Sequence, residues 1–335
     1  MTIEAIVRAF IDHINAGRWA EIVELIHGYG QVTYNNQRYP RDEFLSKLRE
    51  LTLALPEGAF EIETVVSDET AQVVAVRIIC RTTLPSDWED KYWEDVVDGG
   101  VGMAARLAGI VSTADMAPSG ATAAASPSDR DRRLTVLHHL FCWIKDGRVL
   151  DIKTIGDVEG VFRDENVAAM PPDLETDAAL STPAPKRLTA AELSATYRAY
   201  VDCINARTMD TDLARFCHPT VRHNGRDFSL AEYSGLMKDA QQAIEGLNFM
   251  IHTLLVDEDR QCLAVRLEFT GVPRKRWAGS VEPSGAPLEP GAFAEHVYYW
   301  LDGGRIARVL SLVDLASYRV QVRAAAGPQV QRRVS

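Results

Sequence analysis

Long apolar runs are missing from this 335-residue sequence. None approaches the roughly 20 residues that a membrane-spanning helix needs, so no membrane partner is expected. Cysteine is scarce. Cys80, Cys142, Cys203, Cys217 and Cys262 are odd in number, scattered and without C-x-x-C spacing, which argues against a disulfide framework or a structural zinc site and fits a reducing, cytoplasmic setting. Basic charge is in deficit, 36 Lys+Arg against 47 Asp+Glu for a net −11, so a nucleic-acid or anionic-membrane surface is not expected. Arg319, Arg323, Arg332 and Arg333 are too few, and too mixed with apolar residues, to change that balance. The eight histidines show no H-x-x-x-H or H-E-x-x-H pairing, and adjacent His138 and His139 cannot both face one ion from a regular strand, so no metal is expected. A Gly-x-Ser-x-Gly elbow is also missing. Gly100-Val101-Gly102-Met103-Ala104-Ala105 fits a loose G-x-G-x-x-A, but Ala/Ser-rich low complexity follows it where a nucleotide-binding unit needs a strand. That stretch reads more simply as a short helix, a candidate lid, and no organic cofactor is expected. The N-terminus opens into an acid-bearing amphipathic helix in place of a basic, then apolar, leader.

What the sequence does have is one pattern stated twice. FAEHVYYWLDGGRIARVLSLVD at 293 to 314 joins two β-prone runs through Asp302-Gly303-Gly304 and closes on a lone acid, Asp314. LHHLFCWIKDGRVLDIKTIGD at 137 to 157 does the same through Asp146-Gly147 and closes on Asp157. The first helix, with Ile3, Ile6, Val7, Phe10, Ile11 and Ile14 on one face, ends at Asn15-Ala16-Gly17. It returns at 194 to 207, where Tyr200, Asp202, Ile204, Asn205 and Ala206 repeat Phe10, Asp12, Ile14, Asn15 and Ala16. VTYNNQRYPRDEF at 32 to 44 matches VRHNGRDFSLAEY at 221 to 233, and VVAVRI at 73 to 78 matches CLAVRL at 262 to 267. The spacing is 189 for Asn35 and Asn224, Arg77 and Arg266, and Trp88 and Trp277; it is 157 for Trp143 and Trp300, Gly147 and Gly304, and Asp157 and Asp314. The step from 189 to 157 marks an insertion of 32 residues in the first copy between Trp88 and Leu137, where Ala, Ser and Pro dominate.

The expected organisation is a first domain over 1–163 with an insertion at about 97–133, a Pro/Ala-rich linker over 164–188, a second domain over 189–322 and a flexible tail over 323–335. Each copy reads helix, short helix, polar strand or loop, helix (43 to 54; 232 to 245), then four antiparallel strands. Helices first and strands after make this α+β, not alternating α/β. A short sheet with helices on one face leaves a pocket at its open end.

The order of elements, the aromatic helix ending in Asn-Ala, the His223-Asn224-Gly225 after the second helix and the final Glu295-His296…Gly304-Arg305-Ile306…Asp314 hairpin resemble the SnoaL-like polyketide cyclases of the nuclear transport factor 2-like superfamily. The resemblance covers most of both copies, the second more closely, and PSGAPLEPGAF before its hairpin looks like the family's loop. It implies two tandem cone-shaped domains, each a curved antiparallel sheet wrapped around its helices, and an internal pseudo-dimer in place of the family's dimer. It also implies an acid–base carboxylate, often with a histidine, in an apolar pocket without metal or cofactor. The expected function is cyclisation or isomerisation of an apolar polyketide- or terpenoid-like molecule in secondary metabolism. A dehydratase and a non-catalytic binding protein are the alternatives.

Acid–base work at a carbon beside a carbonyl needs a group whose pKa an apolar setting draws toward neutrality. Asp314 and Asp157 qualify because each follows a largely apolar strand; the plainer role is a strand-end Asp capping a turn. Counted from Gly-Arg-Ile, the family's aspartate falls where this chain has Ser311 and Thr154, which leaves Asp314, Glu295 or Glu268 to supply the acid. Glu295 and His296 are adjacent on a strand, so only one enters the pocket; His138 and His139 pose the same choice, with His139 matched to His296. Arg266 and Glu268 share one side of their strand, either as a solvated or interface pair or as an oxyanion site, and Arg77 is kept in the first copy. His223 and Asn224 follow the second helix, with Tyr34 in the histidine's place in the first copy; Phe10 replaces Tyr200 there. Tyr233 and Tyr299 add polar contacts or aromatic packing. The second copy holds more hydrogen-bonding and titrating groups and is the expected active one. Asp314 or Glu268 is the expected base, His296 or His223 the proton partner, and Arg266 or Tyr200 the oxyanion stabiliser.

Overall fold

In a computed structural model the described residues are 1–54, 58–84, 132–156, 187–275, 277, 290–315 and 317–318. Asp157, Trp88, nearly all of the insertion with its expected lid, most of the linker and the tail lie outside them. The chain divides into two compact units, Met1–Ala169 and Met170–Ser335.

The first unit runs α1 (Ile3–Asn15), α2 (Trp19–Leu25), β1 (Ile26–Tyr34), β2 (Gln37–Pro40), α3 (Arg41–Ala54), β3 (Ala59–Asp68), β4 (Val73–Leu84), β5 (Arg132–Lys145) and β6 (Arg148–Gly156). The second repeats it as α4 (Ala190–Asn205), α5 (Met209–Phe216), β7 (Cys217–His223), β8 (Arg226–Ser229), α6 (Leu230–Ala243), β9 (Ile244–Asp257), β10 (Cys262–Pro273), β11 (Gly291–Asp302) and β12 (Arg305–Val313). Each unit has one six-stranded sheet, in the orders β2-β1-β6-β5-β4-β3 and β8-β7-β12-β11-β10-β9. The four antiparallel strands expected are present, and the polar segment after the second helix adds two more. Its hairpin runs parallel to the last strand, β1 along β6 and β7 along β12, so each sheet is mixed.

Local chemistry explains these elements. The Thr2 side chain caps α1, while Thr189 with Glu192 and Ser229 with Glu232 form capping boxes on α4 and α6. Each cap stabilises its helix by about 1 kcal/mol. The hairpin turns need left-handed backbone at both central residues, supplied by Asp146-Gly147 and Gly303-Gly304. The repeated Asn-Ala after the first helix has a structural reason: the Asn205 amide donates to the Phe249 carbonyl at 3.0 Å and accepts from the Phe249 N–H at 2.9 Å. Asn15 does the same to Phe60 at 2.8 and 2.9 Å, so each asparagine ties the first helix to the outermost strand.

Strand alternation then sorts the side chains. Leu263, Val265, Leu267 and Phe269 of β10 and Phe293, Val297 and Tyr299 of β11 join Tyr197, Tyr200 and Val201 of α4 in one core. Each buried side chain of this size contributes about 1.5–3 kcal/mol. The functional question is which polar residues share that inner face.

Candidate functional site

Glu295 does. It lies on β11 between the inward-facing Phe293 and Val297, opposite Leu267 of β10 and Val313 of β12. Its Oε1 accepts a hydrogen bond from the Ser311 hydroxyl. Burial pushes the carboxyl up to about 7, and the Ser311 hydroxyl pulls it the other way. Glu295 is half-buried: protein surrounds it, yet part of its surface stays accessible.

Four tyrosines occupy the inner face beyond it. Tyr197 and Tyr200, three residues apart on α4, present one face, and both rings meet Tyr299 of β11, at 4.9 and 6.0 Å between centroids. The Tyr200 and Tyr233 hydroxyls are 3.0 Å apart, joining α4 to α6. Burial raises all four hydroxyls above the ordinary tyrosine range, so they stay protonated, and the charge of Glu295 pushes Tyr197, Tyr233 and Tyr299 further in that direction. The buried Tyr197 hydroxyl makes no hydrogen bond of good geometry among the described residues. His223 of β7 points inward against Phe228 and Tyr233, and burial lowers it to about 4, keeping the ring neutral at physiological pH. On the other side of Glu295, Phe249, Phe269, Phe293, Trp277 and Tyr318 form a contiguous aromatic wall, with successive rings 4.4 to 5.9 Å apart.

The inner face thus brings together Tyr200, Tyr233, Tyr299, His223, Glu295 and Ser311 from the sequence candidates. It separates the rest. Arg266, Glu268 and His296 hold even positions on their strands and point to the outer face, where Arg266 and His296 are register partners. Glu268 pairs there with His252 at 3.4 Å. The alternation that carries Glu295 inward carries its neighbour His296 outward, so His296 and Glu268 are displaced from the expected acid–base roles. Arg77 and His139 are likewise outward: Arg77 Nη1 is 2.7 Å from His139 Nε2, and Arg77 also binds Glu63.

Asp314 is buried as a cap. Its Oδ1 accepts from the Ser317 N–H at 3.0 Å and its Oδ2 from the Ser317 hydroxyl at 2.5 Å, closing the turn after β12. That is the plainer of the two expected roles, and it occupies both oxygens. Asn224, expected to touch substrate, has its amide turned to the backbone of β12: Nδ2 donates to the Ser311 carbonyl at 3.0 Å and Oδ1 accepts the Ser311 N–H at 2.8 Å.

The first copy keeps the scaffold and changes the lining. Val7, Phe10, Phe44 and Cys142, all buried, stand where the second copy has Tyr197, Tyr200, Tyr233 and Tyr299, and His138 stands for Glu295. Of the two adjacent histidines, His138 therefore faces inward; burial lowers it to about 4. Thr154 keeps a hydroxyl at the place of Ser311, but that hydroxyl has no hydrogen-bond partner among the described residues. Tyr34 and His223 precede equivalent turns, yet Tyr34 pairs with Thr154 while His223 pairs with Val309, two residues short of Ser311. The cause is length: β1 has 9 residues and β7 has 7.

Sequence reading missed Tyr197 and the aromatic wall. Tyr197 carried a signal, its helical spacing from Tyr200; the wall had none, because its members come from separated segments. Among the described residues no three His, Cys, Asp or Glu side chains gather as a metal site.

The family model described as SnoaL-like polyketide cyclase matches residues 194–322. A SnoaL-like polyketide cyclase of known structure from Agrobacterium tumefaciens is 31% identical over 39% of this chain and 97% of its own, with a TM-score of 0.35. TsrD from Streptomyces laurentii is 17% identical over 41% of this chain and 98% of its own, with a TM-score of 0.36. No curated protein matches the chain.

Proposed function

We propose that this chain, which belongs to the SnoaL-like polyketide cyclase family, works through its second unit as an acid–base cyclase or isomerase with Glu295 as the proton-transferring group. The observation that carries this is a carboxyl held at about 7 on an inner face otherwise lined by neutral hydroxyls and apolar rings. Near neutrality such a group is present in both forms, so it can take a proton from a carbon beside a carbonyl and return one later in the same turnover.

The negative charge that leaves with the first proton transfer passes to the substrate oxygen. Tyr197 supports an oxyanion-stabilising role there, because its buried hydroxyl stays protonated and, beside Tyr299, makes no hydrogen bond of good geometry among the described residues. Tyr200 and Tyr233 donate less freely, being paired with each other. His223, neutral and lowered to about 4, is a weak base and serves orientation in place of proton transfer. The aromatic wall favours an apolar, ring-bearing substrate with few oxygens, of the polyketide- or terpenoid-like kind made in secondary metabolism.

The test is incubation of the purified chain, without added cofactor, with a metabolite extract from a host lacking it, read by mass spectrometry. A new compound of unchanged mass that Glu295→Gln fails to make supports the reading. A product lighter by one water moves it to a dehydratase, and a retained, unaltered compound moves it to a binding protein.

A further inference from the structure

Three residues of the second unit form a chain of contacts that ends on one oxygen of Glu295. The Asn224 amide grips β12 on both sides of the Ser311 peptide, at 3.0 Å to its carbonyl and 2.8 Å from its N–H. Asn224 is itself fixed, with left-handed backbone in the turn between β7 and β8 and its N–H donating to the Val309 carbonyl at 2.9 Å. Ser311, so held, donates its hydroxyl to Glu295 Oε1, while Oε2 has no hydrogen-bond partner among the described residues.

We propose that Ser311, clamped by Asn224, is the positioning residue of the site: it engages Oε1 and leaves Oε2 as the oxygen that meets substrate. This rests on the reading of Glu295 as the working carboxyl. The first copy provides the internal contrast. There the asparagine has slid along the sheet, so that Asn35 Oδ1 accepts from the Gly156 N–H at 3.0 Å and the Asn35 N–H donates to the Thr154 carbonyl at 3.0 Å. The Thr154 hydroxyl is left buried without an acceptor among the described residues, and His138 stands where the carboxyl would be. In the second copy the asparagine holds the hydroxyl residue beside the carboxyl; in the first it holds Gly156 in place of Thr154, and the carboxyl is replaced by His138.

The groups facing Glu295 are Tyr197 from α4, Tyr233 from α6, Tyr299 from its own strand and Ser311 from β12. Leu267 of β10 and Val313 of β12 are its register partners. The tyrosines are neutral, so the Ser311 hydroxyl is the group among these that favours the ionised carboxylate.

The experiment is an infrared titration of the full chain, following the carbonyl stretch of protonated Glu295, identified by its loss in Glu295→Gln. Removing a donor to a carboxylate raises its pKa by about one to two units. Ser311→Ala and Asn224→Ala are expected to move the midpoint upward, and Ser311→Thr, which keeps the hydroxyl, to restore it. Ser311→Cys, with a weaker donor and similar size, gives the same comparison if Ser311→Ala does not fold. Folded variants whose midpoint stays with the parent overturn the proposal. A parent midpoint near 4.5 sinks the reading of Glu295 as the base instead, and an upward shift from that value in Ser311→Ala still upholds Ser311 as its positioning residue.

Discussion

The Tyr34 hydroxyl lies over Gly156, filling the space that a side chain at that position would need. In the second copy the same place belongs to Val313, and the β7 residue before the turn, His223, pairs two residues further back on β12. One scaffold therefore carries two different interiors, through replaced side chains and through the register of a strand that differs in length.

Gly156→Ala is expected to destabilise the first unit by about 1–3 kcal/mol, because an added Cβ meets Tyr34 and His138 in a packed interior. Combined with Tyr34→Ala the loss is expected to fall short of the sum of the single losses, as for contacting residues. Denaturant unfolding of the four proteins measures the coupling, and strict additivity contradicts the contact.

Asp314→Ala is expected to cost about 0.5–2 kcal/mol of stability through loss of the cap, with turnover kept. Asn in the same place keeps an acceptor for the Ser317 N–H and is expected to cost less. Abolished turnover in a well-folded Asp314→Asn protein returns the catalytic role to this aspartate.

Tyr197→Phe removes a hydroxyl without a well-made hydrogen bond among the described residues, so stability is expected to hold or rise slightly. On the substrate found by the extract experiment, kcat is expected to fall about tenfold or more with KM little changed, the pattern of an interaction made in the transition state. An unchanged kcat removes Tyr197 from the mechanism.

Stability is expected to depend on pH with opposing contributions. His138 and His223 are lowered from 6.5 to about 4, so the unfolded chain binds more protons between those values and each histidine's contribution is lost as pH falls from 6.5 toward 4. Glu295 is raised from 4.5 to about 7, so the folded chain binds the extra proton and its contribution falls as pH rises through that window. Glu295→Gln removes the opposing contribution. Thermal unfolding between pH 4.5 and 7 is expected to show a steeper rise of Tm with pH in the variant than in the parent, and a parallel pair of curves denies the raised carboxyl.

Asn205→Ala loses both hydrogen bonds to Phe249 and leaves that strand's backbone groups unpaired, an expected cost of about 1–3 kcal/mol. Hydrogen exchange should then accelerate at the Phe249 amide before the centre of the sheet. Unaltered protection there rules out the tie between α4 and β9.

By itself the sequence determined the duplication, through residues repeated at long constant spacings, and the α+β order and the turns, because these follow from alternation and turn chemistry within a few residues of each other. It also showed the second copy to be the richer in hydroxyl and titrating side chains, which the first copy replaces. It could offer Glu295 or His296, and His138 or His139, but could not choose, because alternation fixes that neighbours oppose and not which one faces the helices. Only the tertiary structure made that choice, by packing Phe293, Val297 and Tyr299 against α4 and so turning Glu295 inward with them. It likewise consumed Asp314 in a cap and Asn224 in a backbone clamp, roles set by atoms three and 87 residues away. Residue type and local pattern say what a side chain can do; the partners that burial leaves within reach decide what it does.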